Sequence, residues 1–349
     1  MRTIDRFMGC LVGGALGDAL GYPVEFMSMN EICRIYGHRG IREPLVNRLD
    51  KTAHISDDTQ MTLFTANGLL LAHNEGLDLT DALWIAYQRW YYTQTMRCEN
   101  IEYTIRRVGD PLPYILDQHA LHACRAPGTT CLTELGNGRR GAPGKNLNDR
   151  KGCGGVMRVA PCGLFFAEEP DVACLAAVKA AALTHGHPTG YTAAGALAYM
   201  IARIVKDGLS IRAAAEETML FVPAISDNTE TAEAIEMALF YADQDAYPQN
   251  AINTLGEGWT AEEALAIGLY CALKGKTAKE ALILAVNHKG DSDSTGAICG
   301  NIVGAFCGYD ALPADWIKAL ELEGFIRVTA FELYNNSDSK RKEYKDAEK

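Results

Sequence analysis

The chain has 349 residues, and 33 lysines and arginines against 44 aspartates and glutamates give a formal net charge of −11. That balance argues against nucleic acid or an anionic membrane as the main partner, because both reward clustered positive charge. With 48% hydrophobic and 22% charged residues the chain can bury a large core, which excludes intrinsic disorder.

The first apolar run, Phe7 to Leu20, is interrupted by Asp18 and threaded with glycines, so it reads as folded structure rather than an export signal. No other stretch is long and uncharged enough to span a bilayer. The expectation is a cytoplasmic protein with no membrane partner. Eleven cysteines without a C-x-x-C pair read as reduced thiols, most of them acting as small hydrophobes.

Apolar residues recur at helical spacing and predict helices over 3–20, 58–74, 79–95, 172–184, 189–207, 211–221, 229–243, 261–274, 277–288, 294–308 and 315–335. Thr260 with Glu263, and Thr277 with Glu280, have the spacing of capping boxes. Convincing alternating strands are missing, so the expected fold class is all-α. Two long irregular stretches, 37–55 and 97–155, have the length of functional loops. The helices on either side are alike, which predicts one domain over 1–336 followed by a charged, frayed tail, 337–349.

Gly9, Gly13, Gly17 and Gly21 recur every four residues, as do Gly296, Gly300, Gly304 and Gly308. Glycine inside a helix costs about 1 kcal/mol relative to alanine, so each series implies a compensating close approach. We expect these two helices to pack against each other.

Two acidic clusters carry the chemistry: Ser56-Asp57-Asp58-Thr59 and Asp291-Ser292-Asp293-Ser294-Thr295, each at the start of a predicted helix. Adjacent carboxylates repel unless a cation or a helix N-terminus compensates. An oxygen-only donor set suits Mg²⁺, Mn²⁺ or Ca²⁺ rather than Zn²⁺, and the spacing excludes an EF-hand. Either cluster alone also reads as a helix cap, and composition does not place the two together in space.

Lys151 to Arg158 is a glycine-rich loop entering an apolar helix, a setting in which backbone N–H groups approach phosphates, although it matches neither a Walker loop nor a dinucleotide fingerprint. Arg158 fits internal pairing as well as phosphate contact. His185-Gly186-His187-Pro188 offers donors to a ligand or a helix-end hydrogen-bonding device; His119 and His122 have no carboxylate company and receive no role.

In this order the segments Gly13–Gly21 with Pro23 and Glu25, Ser56–Met61, Gly152–Arg158, Thr184–Pro188 and Gly290–Gly296 resemble the ADP-ribosylglycohydrolase family, nearly end to end. The resemblance implies a single all-α orthogonal helical bundle around two Mg²⁺ or Mn²⁺ ions held by Ser56, Asp57, Asp58, Asp291, Asp293 and Ser294. The serines stand where many members have threonine and keep the hydroxyl. Glu25 matches a glutamate beside the metals and is the first candidate for activating water, with Asp57 and Asp293 as ligands that also meet substrate hydroxyls.

The implied reaction is hydrolysis of the N- or O-glycosidic bond between ADP-ribose and a protein side chain, arginine first, which reverses mono-ADP-ribosylation. The partner is then an ADP-ribosylated protein or ADP-ribose conjugate. By the same resemblance the backbone amides of Gly152, Cys153, Gly154 and Gly155 receive the diphosphate, Met157 also binds substrate, and His185 is a neighbouring donor. Two departures bear on specificity. Only Glu99 stands near the position of an aspartate that one branch uses in arginine release, and the segment 110–151 is longer than in that branch. A weakly catalytic ADP-ribose binder and a hydrolase of another conjugate remain as further readings.

Overall fold

The computed structural model describes residues 3–96, 111–112, 115–145, 147–226, 229–245 and 247–338. Among them the first half contains α1 (Thr3–Gly21), α2 (Met29–Tyr36), α3 (Asp57–Glu75), α4 (Leu79–Thr95), α5 (Thr129–Gly136), α6 (Ala160–Phe165), α7 (Pro170–Ala182) and α8 (Pro188–Asp207). The second half adds α9 (Ile211–Phe221), α10 (Glu230–Asp243), α11 (Pro248–Leu255), α12 (Ala261–Lys274), α13 (Ala278–Val286), α14 (Ser292–Cys307), α15 (Ala314–Ala319) and α16 (Glu323–Asn336). The described residues contain isolated β-bridges and no strand, so the all-α expectation holds.

The centre of the fold is the pair α1 and α14. Their glycine series face each other rung by rung: a Cβ added at Gly17 would overlap the Gly296 carbonyl, one at Gly13 the Gly300 carbonyl, and one at Gly9 the Gly304 carbonyl. The two backbones are therefore in direct contact, and the missing side chains are what permits it. Asn301 uses the remaining gap beside Gly14 and donates through Nδ2 to the Cys10 carbonyl at 2.9 Å. Around this pair, α12 and α13 pack on α14 and α16 packs on α1, while α3 with α4 and α7 with α8 form neighbouring layers. The segment Thr3–Val24 is long and apolar enough to cross a membrane by composition, yet 83% of its apolar 18-residue window is buried inside the fold.

The structure corrects several local expectations. α2, α5 and α11 were not predicted; each has 8 residues, too few turns for an apolar period to stand out, whereas the apolar helix expected after the glycine loop is present as α6. α2 carries the capping box that its sequence signals, with Ser28 accepting from the Glu31 N–H and Glu31 accepting from the Ser28 N–H. The predicted helix 315–335 is two helices, broken where the Glu321 N–H donates to the Ala53 carbonyl and Leu322 turns to a left-handed φ of 57°. Thr277 caps α13, but Thr260 makes no side-chain cap; Glu263 instead accepts the Glu257 and Gly258 N–H groups. The described cysteines are free thiols, and Cys124 is exposed rather than packed.

Candidate active site

The two acidic clusters, separated by most of the sequence, line one cleft of about 440 Å³. The α1–α14 contact and the placement of α3 beside them bring this about. Asp57 and Asp58 lie in the first turn of α3, and Ser56 is its cap, accepting the Asp58 N–H at 3.2 Å. Asp18 on α1 braces this turn from behind. It accepts the Ser56 N–H at 2.9 and 3.0 Å, the Thr59 N–H at 3.1 Å and the Thr59 hydroxyl at 2.5 Å. Asp18 thus satisfies donors at the helix start that would otherwise fall to the cluster's own carboxylates. Asp57 and Asp58 are left to face the cleft, where Asp57 accepts the Gly128 N–H at 3.0 Å.

The second cluster begins at Asp291, the cap of α14, which accepts the Ser294 N–H at 3.3 Å. Gly290 makes the turn before it at φ 123°, where a Cβ would overlap the Glu257 carbonyl, and the Asp291 N–H donates to that carbonyl at 2.9 Å. Asp293 lies inside the first turn and accepts the Ser294 N–H at 3.0 Å. Glu25 arrives from the short 3-10 turn that follows α1. Its carboxylate and those of Asp291 and Asp293 each offer an oxygen within 4.8 Å of the others, which adds Glu25 to the candidate ligand set.

Five carboxylates, those of Glu25, Asp57, Asp58, Asp291 and Asp293, line the cleft, and among its described lining residues there is no lysine or arginine. Burial, followed by mutual repulsion, raises their affinity for protons. Burial and Asp293 push Asp18 up to about 7. Burial, then Asp293, Asp291 and Asp57, push Glu25 up to about 11. Burial holds Asp57, Asp58 and Asp291 well above the ordinary carboxylate range and raises Asp293 as well. Glu25 Oε2 and Asp58 Oδ1 are buried with no hydrogen-bond partner. Oxygen donors, unpartnered lone pairs and uncompensated negative charge together fit a hard divalent cation.

Ser294 lines the cleft, whereas Ser56 does not and sits one layer behind Asp58. Of the glycine loop, Gly152, Cys153, Gly154 and Met157 line the cleft; Gly155 backs onto α7 and α8, where a Cβ would lie 3.2 Å from Ala181 Cβ and from the Gly190 carbonyl oxygen. The expectation that all four loop amides are free for a diphosphate is corrected at Cys153, whose N–H donates to the Trp259 carbonyl at 3.1 Å. The Cys153 thiol donates to Asp291 Oδ2 at 2.7 Å, which links the loop to the acidic cluster. Lys151 is held by Glu230 and Glu262 at 2.7 and 2.5 Å.

Arg158 pairs internally. It donates to the Ala180 carbonyl at 2.9 Å and to Thr184 Oγ1 at 2.8 Å, and its guanidinium lies 4.3 Å from the centre of the Tyr87 ring. Thr184 Oγ1 lies 2.9 Å from His185 Nδ1, which orients the His185 ring beside Gly152 and Gly154. Burial, reinforced by Arg158, lowers the His185 pKa to about 3, so the imidazole is neutral. His187 caps α8 by accepting the Thr189 N–H, so the two histidines of this segment divide the two readings between them. His122 Nε2 lies 2.7 Å from the Leu116 carbonyl, away from the cleft. Glu99 lies outside the described residues.

Sequence reasoning gave no role to Asp18, though a lone carboxylate in an apolar run is itself a signal. It also passed over the aromatic lip of the cleft. Phe26, directly after Glu25, holds φ 65°, is 70% exposed and stacks on Trp259 with ring centres 5.3 Å apart. Neither ring has a motif around it.

The family model for ADP-ribosylglycohydrolase matches residues 1–343. The chain belongs to the ADP-ribosylglycohydrolase family. It is 30% identical over 333 residues to an uncharacterized protein of Archaeoglobus fulgidus, a match covering 95% of this chain and 96% of that one. It is 29% identical over 325 residues to the ADP-ribosyl-[dinitrogen reductase] glycohydrolase of Rhodospirillum rubrum, covering 91% of each. Among solved structures it resembles a chain described as "ADP-ribosylglycohydrolase-related protein complex", with a TM-score of 0.66 and 25% identity over 96% of this chain and 99% of that chain. As an ADP-ribosylglycohydrolase the chain has its acidic clusters inside the matched span, and hydrolysis of an ADP-ribose conjugate is the activity that membership supports.

Proposed function

We propose that this ADP-ribosylglycohydrolase releases ADP-ribose from a modified protein side chain, arginine foremost, and so reverses mono-ADP-ribosylation with the help of two Mg²⁺ or Mn²⁺ ions. The observation that carries this reading is the convergence of both acidic clusters on the cleft that also holds Gly152, Gly154 and His185. Asp57, Asp58, Asp291, Asp293 and Ser294 are the residues that would hold the cations, with Ser56 buttressing Asp58. Such ions, when bound, supply Lewis acidity and lower the pKa of coordinated water.

The chain's own groups divide the remaining work. Glu25, on the cleft wall beside Asp291 and Asp293, takes the proton of the attacking water or returns one to the leaving atom. Burial, then the neighbouring aspartates, holds its pKa high, and cations beside those aspartates would lower it. Neutral His185 donates to a phosphate oxygen without carrying a charge into a buried site, and the two lining glycines let the diphosphate approach the backbone. Arginine is placed first because a relative 22% identical over 338 residues, from Serratia proteamaculans, is named ADP-ribosylarginine hydrolase Tri1.

The test is release of ADP-ribose from matched arginine-, serine- and glutamate-linked peptides with Mg²⁺, with Mn²⁺ and with EDTA. The reading expects cation-dependent release, fastest from arginine. Binding of ADP-ribose without release from any linkage would replace the hydrolase with a binder.

A further inference from the structure

A second cavity, of about 400 Å³, lies against the first, and the two share a wall made by Glu25, Phe26 and Ala126. Two of these wall residues hold a left-handed backbone without being glycine, Phe26 at φ 65° and Ala126 at φ 50°. Such conformations cost on the order of 1 kcal/mol or more each and persist where the surroundings enforce them. The wall is thus a built feature, and Glu25 lines both cavities.

The far side of the second cavity is formed by Leu45, Asn47 and His54. Their segment is fixed as a short hairpin: the Asn47 N–H donates to the Thr52 carbonyl at 2.8 Å, and Val46 bridges to Ala53. His54 Nε2 lies 2.6 Å from Asp50 Oδ2, and the Ala53 carbonyl accepts the Glu321 N–H at 3.0 Å. Asn47 Oδ1 accepts the Leu49 N–H at 2.8 Å, which leaves its amide NH₂ as a donor with no partner among the described residues. Leu45 is 55% exposed and offers apolar surface next to that donor.

ADP-ribose, in the reading above, occupies the side of Glu25 that carries the aspartates and the glycine loop. With ADP-ribose there, the second cavity is the neighbouring space across Glu25, available to the chain that carries the modified side chain. We propose that this cavity is an acceptor subsite that seats the polypeptide flanking the modified side chain, with Leu45 packing against it and Asn47 donating to its main chain.

The hairpin and its approach also suggest the character of that polypeptide. Arg39, Arg42, Arg48 and Lys51 are exposed there against Glu43 and Asp50, and Glu43 is taken up by Lys279 at 2.6 Å. In a chain of net charge −11 this is a local excess of positive charge, and it favours acidic residues beside the modified position.

The inference rests on the hydrolase reading, and one experiment separates their failures. KM is measured for two substrates of the same linkage: an ADP-ribosylated peptide with acidic flanks and the corresponding ADP-ribosylated free amino acid. Leu45→Trp, which fills the cavity, should raise KM for the peptide about tenfold more than for the free amino acid, and Asn47→Ala about threefold more. Replacing the acidic flanks by basic ones should raise the wild-type KM, and added salt should erase the difference. ADP-ribose affinity, measured by calorimetry, verifies that each variant is folded. Equal changes for both substrates, or no change in a folded variant, would overturn the acceptor subsite while leaving the hydrolase intact. Absence of wild-type turnover on both would remove the hydrolase reading and the subsite together.

Discussion

Thr59 donates its hydroxyl to Asp18 across 2.5 Å, and the same carboxylate takes the Thr59 and Ser56 N–H groups. One side chain of α1 therefore fixes the start of α3. Asp18→Ala would strand these buried donors. We expect it to lower stability by about 2–4 kcal/mol and to weaken Mg²⁺ binding, because Asp57 and Asp58 would lose their support. Urea denaturation and calorimetric titration with Mg²⁺ check the two effects, and a variant of unchanged stability would contradict the bracing role.

The glycine contact between α1 and α14 predicts opposite outcomes for the same substitution at two positions. Gly17→Ala drives a methyl into the Gly296 carbonyl, a backbone atom that moves only if the helices separate; the expected cost is about 3 kcal/mol or more. Gly324→Ala meets nothing within 4 Å and lies in the first turn of α16, so it should stabilise by roughly 0.5–1 kcal/mol. Thermal denaturation of the two variants side by side reads both.

Glu25→Gln keeps the size of the side chain and removes its proton chemistry. Turnover should fall by about 10²–10⁴-fold with ADP-ribose affinity retained within a few fold. Full turnover in this variant would take Glu25 out of the mechanism.

The cleft carboxylates and Asp18 behind them bind protons more tightly in the folded chain than in the unfolded one, since burial raises them all, Asp18 to about 7 and Glu25 to about 11. Without cations the folded state holds more protons, so its stability falls as pH rises from the ordinary carboxylate range, about 4, through the raised values. On the proposed reading a divalent cation would compensate the charge that accumulates. The rise in melting temperature produced by Mg²⁺ or Mn²⁺ should therefore be small near about pH 5 and larger near about pH 8. A cation effect independent of pH would show that the carboxylates are not its source.

The glycine series made the central helix pair legible because a glycine inside a helix costs stability and backbone contact explains the repeat in both helices, although Gly308 follows α14 and owes its glycine to a φ of 80°. The acidic clusters were legible as hard-ligand sequences, yet their convergence follows from the α1–α14 contact and from Asp18 holding α3. Helices of one or two turns escaped because so few turns leave no apolar period to read, and of them only α2 carries a capping side chain, Ser28. The lip formed by Phe26 and Trp259 and the wall residue Ala126 were illegible for a different reason: their positions are set by backbone conformations that the tertiary structure imposes.

The pairing of α1 with α14 also sets a timetable for synthesis. The face of α1 that carries Gly9, Gly13 and Gly17 finds its partner only when the residues beyond Ser292 have left the ribosome, roughly tens of seconds later at about 5–20 residues per second. Through that interval a segment apolar enough to pass for a membrane span waits without its neighbour, in a form suited to capture by a chaperone. A chain cut short before Asp291 lacks both the partner helix and two of the five cleft carboxylates.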